Sequence, residues 1–254
     1  MRATVCELPH EPTSLAGAWA GLCRHTAREL PELVLLPEFA FVGPLWEAEH
    51  CDPAQWAAAE ALSATWLARL PELRAKQVVG TRPVSIGRGR FNQGFVWSAA
   101  NGLRPLRSKF FLPSEPGGWE ARWFDRGDPD FPVFRAGDFS FGLNICTELW
   151  ALETYASYAA QGAQIVLTPR ATAAATRAKW LSAGVVAAVR SGAFGLSSNR
   201  VDPSGACGGF SWIISPDGQV VASTTPEAPF ATVDIDLAAS TAAQATYPRY
   251  VFRG

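Results

Sequence analysis

Three features of the 254-residue sequence predict a layered α/β fold with a mixed sheet. Short apolar runs such as 32–36 and 163–167 read as strands buried on both faces. Amphipathic stretches such as 14–29 and 176–194 read as helices between strands. Asn101-Gly102, set between two alternating runs, is a hairpin signal, so part of the sheet is antiparallel.

Taken in order, residues 2–7 read as a first strand, and Pro9 and Pro12 punctuate it. Ser14 is the expected cap of a helix to Glu29, with Leu15, Trp19 and Leu22 on one face. Pro31 ends that helix, and the strand 32–36 runs into Pro37-Glu38-Phe39. A second helix is predicted over 54–70. Strands follow over 76–82 and 90–99, and 103–109 is the hairpin partner. Residues 139–145 alternate as a strand, and Gly142 removes a side chain where another backbone can come close. A helix is predicted directly behind Cys146, with Thr147 as its cap. Its far face, with Tyr155 and Tyr158, reads as a surface for a second copy. Later expectations are strands over 163–167 and 195–198, a hairpin turning at 215–218, and a last strand over 231–235. The tail from 238 carries few signals. With no linker or repeat, residues 1–254 read as a single domain.

Bulk properties bound the function. A chain this long buries about three quarters of its unfolded surface and needs no staples. The formal net charge of −1 gives no electrostatic case for nucleic acid or an anionic membrane. No apolar run approaches a membrane span, and the first residues do not form a signal peptide. Five cysteines without CxxC spacing, and three histidines confined to the first 50 residues, argue against a zinc site. An odd number of cysteines suggests reduced thiols and a cytoplasmic setting.

Three polar residues stand immediately after predicted buried strands: Glu38, Lys109 and Cys146. In layered α/β proteins the carboxyl ends of strands share an edge where sites form. A carboxylate, an ammonium and a thiol meeting there make a coherent set. The carboxylate can take the thiol proton, and the ammonium can stabilise an oxyanion and keep the carboxylate ionised. The loop 114–127, with two tryptophans and Glu120, is too aromatic for a plain solvent loop and can wall a pocket.

LLPE around Glu38, SKFFLP around Lys109 and GLNICTE around Cys146 resemble the nitrilase superfamily of carbon–nitrogen hydrolases. Glu120 in GGWEARWF, the segment QGAQIVLTP, the triplet Ser198-Asn199-Arg200 and FSWIISPDG resemble further landmarks of that family. The resemblance implies a four-layer αββα sandwich of two mixed six-stranded-type sheets with outer helices, assembled as a homodimer or larger homo-oligomer. It implies that Glu38 is general base, Cys146 nucleophile, and Lys109 with the Thr147 backbone N–H the oxyanion site. Glu120 would hold Lys109 and Glu38 in place, and no metal or cofactor is needed.

The implied reaction is hydrolysis of a non-peptide C–N bond in a small amide or N-carbamoyl compound through a Cys thioester, with release of ammonia. Nitrile hydrolysis and a soluble acyltransferase are the alternatives, and a non-catalytic binding protein is the remotest. Thr147 stands where nitrile-cleaving members often carry Trp, which leans away from nitriles. Phe41, Trp119, Trp150 and Arg170 are the candidate substrate-binding residues. Arg170 either reads a substrate carboxylate or pairs with Glu148 or Glu153, and the pairing is slightly favoured.

Overall fold

The computed structural model describes residues 1–252. The first part of the chain forms β1 (Arg2–Leu8), α1 (Pro12–Glu29), β2 (Leu33–Leu35) and α2 (Pro53–Leu67). The strands β3 (Gln77–Ile86), β4 (Gly89–Ser98) and β5 (Gly102–Ser108) follow as a meander, then a one-turn helix α3 (Glu120–Trp123). The second part has β6 (Phe134–Ala136), β7 (Phe139–Leu143), α4 (Glu153–Ala160), β8 (Ile165–Arg170), α5 (Arg177–Ser191) and β9 (Phe194–Arg200). It closes with β10 (Trp212–Ile214), β11 (Val220–Ser223), β12 (Phe230–Asp234) and α6 (Leu237–Gln244).

Among the described residues the strands order as β12-β1-β2-β3-β4-β5 in one half and β11-β10-β9-β8-β7-β6 in the other. Each half is mixed: β1, β2 and β3 run parallel, as do β7, β8 and β9, and the outer pairings are antiparallel. The halves join where Glu7 and Leu8 pair with Asn199 and Arg200, making one continuous twelve-stranded sheet.

Strand alternation builds the layers, because successive side chains point to opposite faces. Ala3, Val5, Leu33 and Leu35 of the first half meet Phe141, Leu143, Ile165 and Leu167 of the second in one central core. The intervening Cys6, Leu8, Val34 and Leu36 face Leu15, Trp19 and Leu22 of α1 and Trp66 of α2. On the other outer side, Val166, Trp212 and Ile214 pack on Tyr155 and Tyr158 of α4 and Ala183 and Ala187 of α5. Each large apolar side chain so buried contributes about 1.5–3 kcal/mol.

Several local expectations are corrected. Helix α1 starts two residues early. Pro12 at its first position has a preset φ, and the Glu11 carboxylate, not Ser14, is the cap, accepting the Ser14 N–H at 2.9 Å. The segment behind Cys146 is a single 3-10 turn, Cys146–Trp150, and the α-helix starts only at Glu153. The thiol therefore sits at a short turn and not at the start of a full α-helix. Tyr155 and Tyr158 are fully buried, so they offer no surface to a second copy. Their hydroxyls donate to Leu149 O (2.5 Å) and Asn144 Oδ1 (2.7 Å). Strand β6 and helices α3 and α6 lie in stretches that read as loop or tail. The hairpin at Asn101-Gly102 holds, with Gly102 at φ 63°.

Candidate functional site

Glu38 lies three residues past the end of β2, where the chain bends sharply. Phe39 has φ 44°, a region non-glycine residues rarely occupy. Both halves of the sheet hold the bend. Phe39 N–H donates to Thr81 Oγ1 of β3 (2.9 Å), and Glu38 N–H donates to the carbonyl of Arg170 at the end of β8 (3.3 Å). Strain of this kind costs about 1–3 kcal/mol and persists where the surroundings over-determine it.

Lys109 directly follows β5, and its N–H donates to Asn92 O of β4 (2.8 Å). Its buried ammonium donates to Glu38 Oε1 at 2.9 Å and to Glu120 Oε1 at 2.8 Å. Asn92 Nδ2 donates to the same Glu38 oxygen at 2.8 Å. Glu38 Oε2 has no hydrogen-bond partner within the chain. One carboxylate oxygen is thus pinned by two donors, and the other is left to take a proton.

Cys146 opens the 3-10 turn at φ 50°, a second strained non-glycine position. Glu148 makes the bend possible. Its carboxylate accepts the Ile145 N–H (2.8 Å) and the Phe110 N–H (2.7 Å). It also forms a two-pronged ion pair with Arg107, at 2.5 and 3.0 Å. This buried pair ties the strand that carries Lys109 to the turn that carries Cys146. Glu148, rather than Thr147, satisfies the backbone at the start of the turn.

The electrostatics follow from burial. Desolvation pushes the Cys146 thiol well up and Glu38 adds to that, while Lys109 and a backbone hydrogen bond from Ala171 pull it down. Burial and Glu38 thus favour the protonated thiol, whose proton needs an acceptor for attack. Burial alone would lower Lys109, but Glu120 and Glu38 more than offset it, so the ammonium stays charged. One ammonium between two buried carboxylates leaves a negative charge in excess. Burial first, opposed by Lys109 and reinforced by Glu38, pushes Glu120 up to about 7.

Glu38 and Glu120 both hold the Lys109 ammonium, Cys146 lies near enough for all three charges to act on its sulfur, and Thr147 follows it in the turn. The first N–H groups of such a turn have no partner inside it. The substrate-binding expectations fare differently. Phe41 points to the outer core, stacked on Trp66 with ring centroids 5.6 Å apart, and does not line the site. Trp119 is half-buried, donates its backbone N–H to Trp46 O (2.8 Å) and packs against an aromatic cluster that includes Phe39 and Trp123. Trp150 is half-exposed and lines a shallow 220 Å³ depression with Phe111 and Thr147.

Arg170 is also turned away. Ile165 and Leu167 face the central core, so by period two Arg170 faces the outer layer. There its guanidinium donates to Ser197 Oγ (2.6 Å), Thr172 Oγ1 (2.7 Å) and Phe210 O (2.9 Å), and lies 3.8 Å from the Trp212 ring centroid. It meets neither a substrate carboxylate nor Glu148, whose partner is Arg107; counting alternation from Leu167 would have found this. Asn92, Arg107 and Glu148 are the residues that sequence reasoning missed. Asn92 gave no signal, being a polar residue inside an apolar strand. Glu148 stood two residues from Cys146 in the motif itself.

A pocket of about 730 Å³ opens beside the site. Trp46 and Ala171 form part of its wall, and Ala171 is the residue whose N–H reaches the Cys146 sulfur.

Comparison with known proteins agrees with this architecture. Residues 2–245 match the family described as Carbon-nitrogen hydrolase. No curated protein matches the sequence. A carbon–nitrogen hydrolase from Helicobacter pylori G27 superposes with a TM-score of 0.86 at 19% identity, covering 100% of this chain and 95% of that one. A cysteine-to-alanine variant of the amidase from Nesterenkonia sp. AN1, in complex with butyramide, superposes with a TM-score of 0.77 at 20% identity, covering 95% and 93%. Another variant of that amidase carries the acetamide moiety of fluoroacetamide on its active-site cysteine; it gives a TM-score of 0.75 at 20% identity, covering 99% and 95%. These structures share the fold. With its family match running almost end to end, the chain belongs to the carbon–nitrogen hydrolase family.

Proposed function

We propose that the protein hydrolyses a small amide or N-carbamoyl compound through a thioester on Cys146, releasing ammonia. The observation that carries this reading is the divided Glu38 carboxylate. Oε1 is held by Lys109 and Asn92, and Oε2 is free next to a thiol that needs a base.

In this mechanism Glu38 Oε2 takes the thiol proton as Sγ attacks the carbonyl carbon. The C=O electron pair moves onto oxygen, and the Lys109 ammonium and the Thr147 N–H hold that charge. Glu38 returns the proton to the nitrogen as the C–N bond breaks, and ammonia leaves. Water, deprotonated by Glu38, then adds to the thioester. Sulfur leaves, takes the proton back, and the acid is released. Glu120 keeps Lys109 positioned throughout.

The amidases among the similar structures support amide chemistry in general. Five free cysteines fit a reducing cytoplasm, and the family resemblance supports assembly as a homodimer or higher oligomer. Light scattering on the purified protein tests the assembly.

Ammonia release from a panel of amides, ureido acids and nitriles tests the chemistry, with wild type beside Cys146→Ala. Release that disappears in the variant is the expected result. Equal release from both proteins would sink the thiol mechanism.

A further inference from the structure

The Arg170 guanidinium bonds to neither the base nor the sulfur, but the peptide group that follows Arg170 meets both residues. Its carbonyl accepts the Glu38 N–H at 3.3 Å, and the N–H of the same peptide, that of Ala171, reaches the Cys146 sulfur. In a planar trans peptide the C=O and N–H point in opposite directions. One rigid group therefore stands between the backbone of the base and the thiol, and any rotation of it disturbs both contacts together.

That peptide is held from behind. All three nitrogens of the buried Arg170 guanidinium are engaged, by Ser197 Oγ (2.6 Å), Thr172 Oγ1 (2.7 Å) and Phe210 O (2.9 Å). Arg170 and Thr172 flank Ala171, so the bond between their side chains spans the peptide. Thr172 is fixed in turn on β9: its N–H donates to Asn199 Oδ1 (2.9 Å), and Asn199 Nδ2 donates to its carbonyl (3.1 Å). The network lies in the outer layer, away from where an amide would sit.

The charges act in the same sense. Burial, Glu38 and Glu120 favour the protonated Cys146 thiol, and Lys109 opposes them. Burial also disfavours the Arg170 cation, with Arg177 adding to it, while the charges of Cys146 and Glu7 support the cation. A thiolate that steadies the guanidinium is steadied by it in return.

Resting on the thiol mechanism proposed above, we propose that Arg170 is a positioning residue for Cys146: by fixing the Arg170–Ala171 peptide it keeps the N–H on the sulfur and readies the thiol for deprotonation. The substrate does not meet it.

The experiment follows alkylation of Cys146 by iodoacetamide across pH, read at that residue by mass spectrometry because the other cysteines are free as well. Wild type is set beside Arg170→Met and Arg170→Lys, each with a thermal melt and steady-state kinetics on the best amide. In Arg170→Met the alkylation profile should move up by about one pH unit. The rate at neutral pH should then fall about threefold: roughly tenfold less thiolate, partly offset by the greater nucleophilicity of a more basic sulfur. The kcat should fall about tenfold with KM nearly unchanged, since the residue acts on the thiol and not on binding. Arg170→Lys keeps a cation without the fork and should lie between wild type and Arg170→Met. A purely structural role would lower the melting temperature and leave the alkylation profile in place, and that result would overturn the proposal. If Arg170→Met does not fold, Thr172→Val decides in the same assay, because it removes the bond that spans the peptide and keeps the arginine. An upward displacement supports the proposal there, and a wild-type profile overturns it. Should no amide release ammonia, the proposed hydrolysis fails, and the alkylation profile still decides on Arg170.

Discussion

Asn92 Nδ2 lies 2.8 Å from Glu38 Oε1, so an uncharged amide on β4 fixes which oxygen of the carboxylate remains available. The same residue's carbonyl accepts the Lys109 N–H at 2.8 Å. One side chain and its own backbone therefore set the relative positions of the base and the ammonium.

Asn92→Ala should lower kcat more than it raises KM. A hydrogen bond to a charged group contributes about 1.5–3 kcal/mol, which is roughly 10- to 150-fold in rate if it acts only on the base. Steady-state kinetics on the best amide, with a thermal melt to show that folding is retained, checks this. An unchanged kcat would remove Asn92 from the site.

Glu120 sets a pH dependence. Its carboxyl is pushed up to about 7, from an ordinary value of 4.5. Protonation below pH 7 removes one of the two charges that hold Lys109, so kcat/KM should fall on the acid side with a midpoint near 7. Glu120→Gln should abolish that limb. Stability runs the opposite way. With the folded pKa raised, the native state holds a proton that the unfolded chain has lost between pH 4.5 and 7. The contribution of Glu120 to stability therefore declines as pH rises through that window, and the Gln variant should lack this slope in urea titrations.

Breaking the Arg107–Glu148 pair should be severe. Removing one partner leaves an unpaired buried charge, at a cost of about 3–5 kcal/mol. In Glu148→Ala the Ile145 and Phe110 N–H groups lose their acceptor as well. Denaturant unfolding should show a large loss for this variant, and the double change Arg107→Met with Glu148→Leu should recover part of it. Equal losses in the single and double variants would mean that the charge is not what makes the deletion costly.

Gly142→Ala tests a close approach in β7 that is made by a side-chain ring, not by the backbone expected from the sequence. A Cβ there would meet the ring of Tyr158 at 2.5 Å, and that ring is fixed by its bond to Asn144. Overpacking of this kind costs about 1–3 kcal/mol. The shift should also loosen the turn at Cys146, so faster iodoacetamide labelling is expected alongside the lower melting temperature.

The sequence by itself determined the strand–helix order, the layered α/β class and the candidates Glu38, Lys109, Glu120 and Cys146. These follow from local causes: apolar periodicity, and polar residues placed where buried strands end. Tertiary structure decided which neighbours complete the site. Asn92 reaches Glu38 across 54 positions of the chain, and Arg107 reaches Glu148 across 41, distances no local pattern encodes. It also decided which arginine faces inward. Arg170 and Arg200 both end buried strands, and only the side-chain alternation set by each strand's pairing sends one into the outer layer and the other to the opposite face of the sheet. The short turn behind Cys146 has the same origin: a carboxylate from within the motif, anchored by a distant arginine, holds the backbone where a helix was expected.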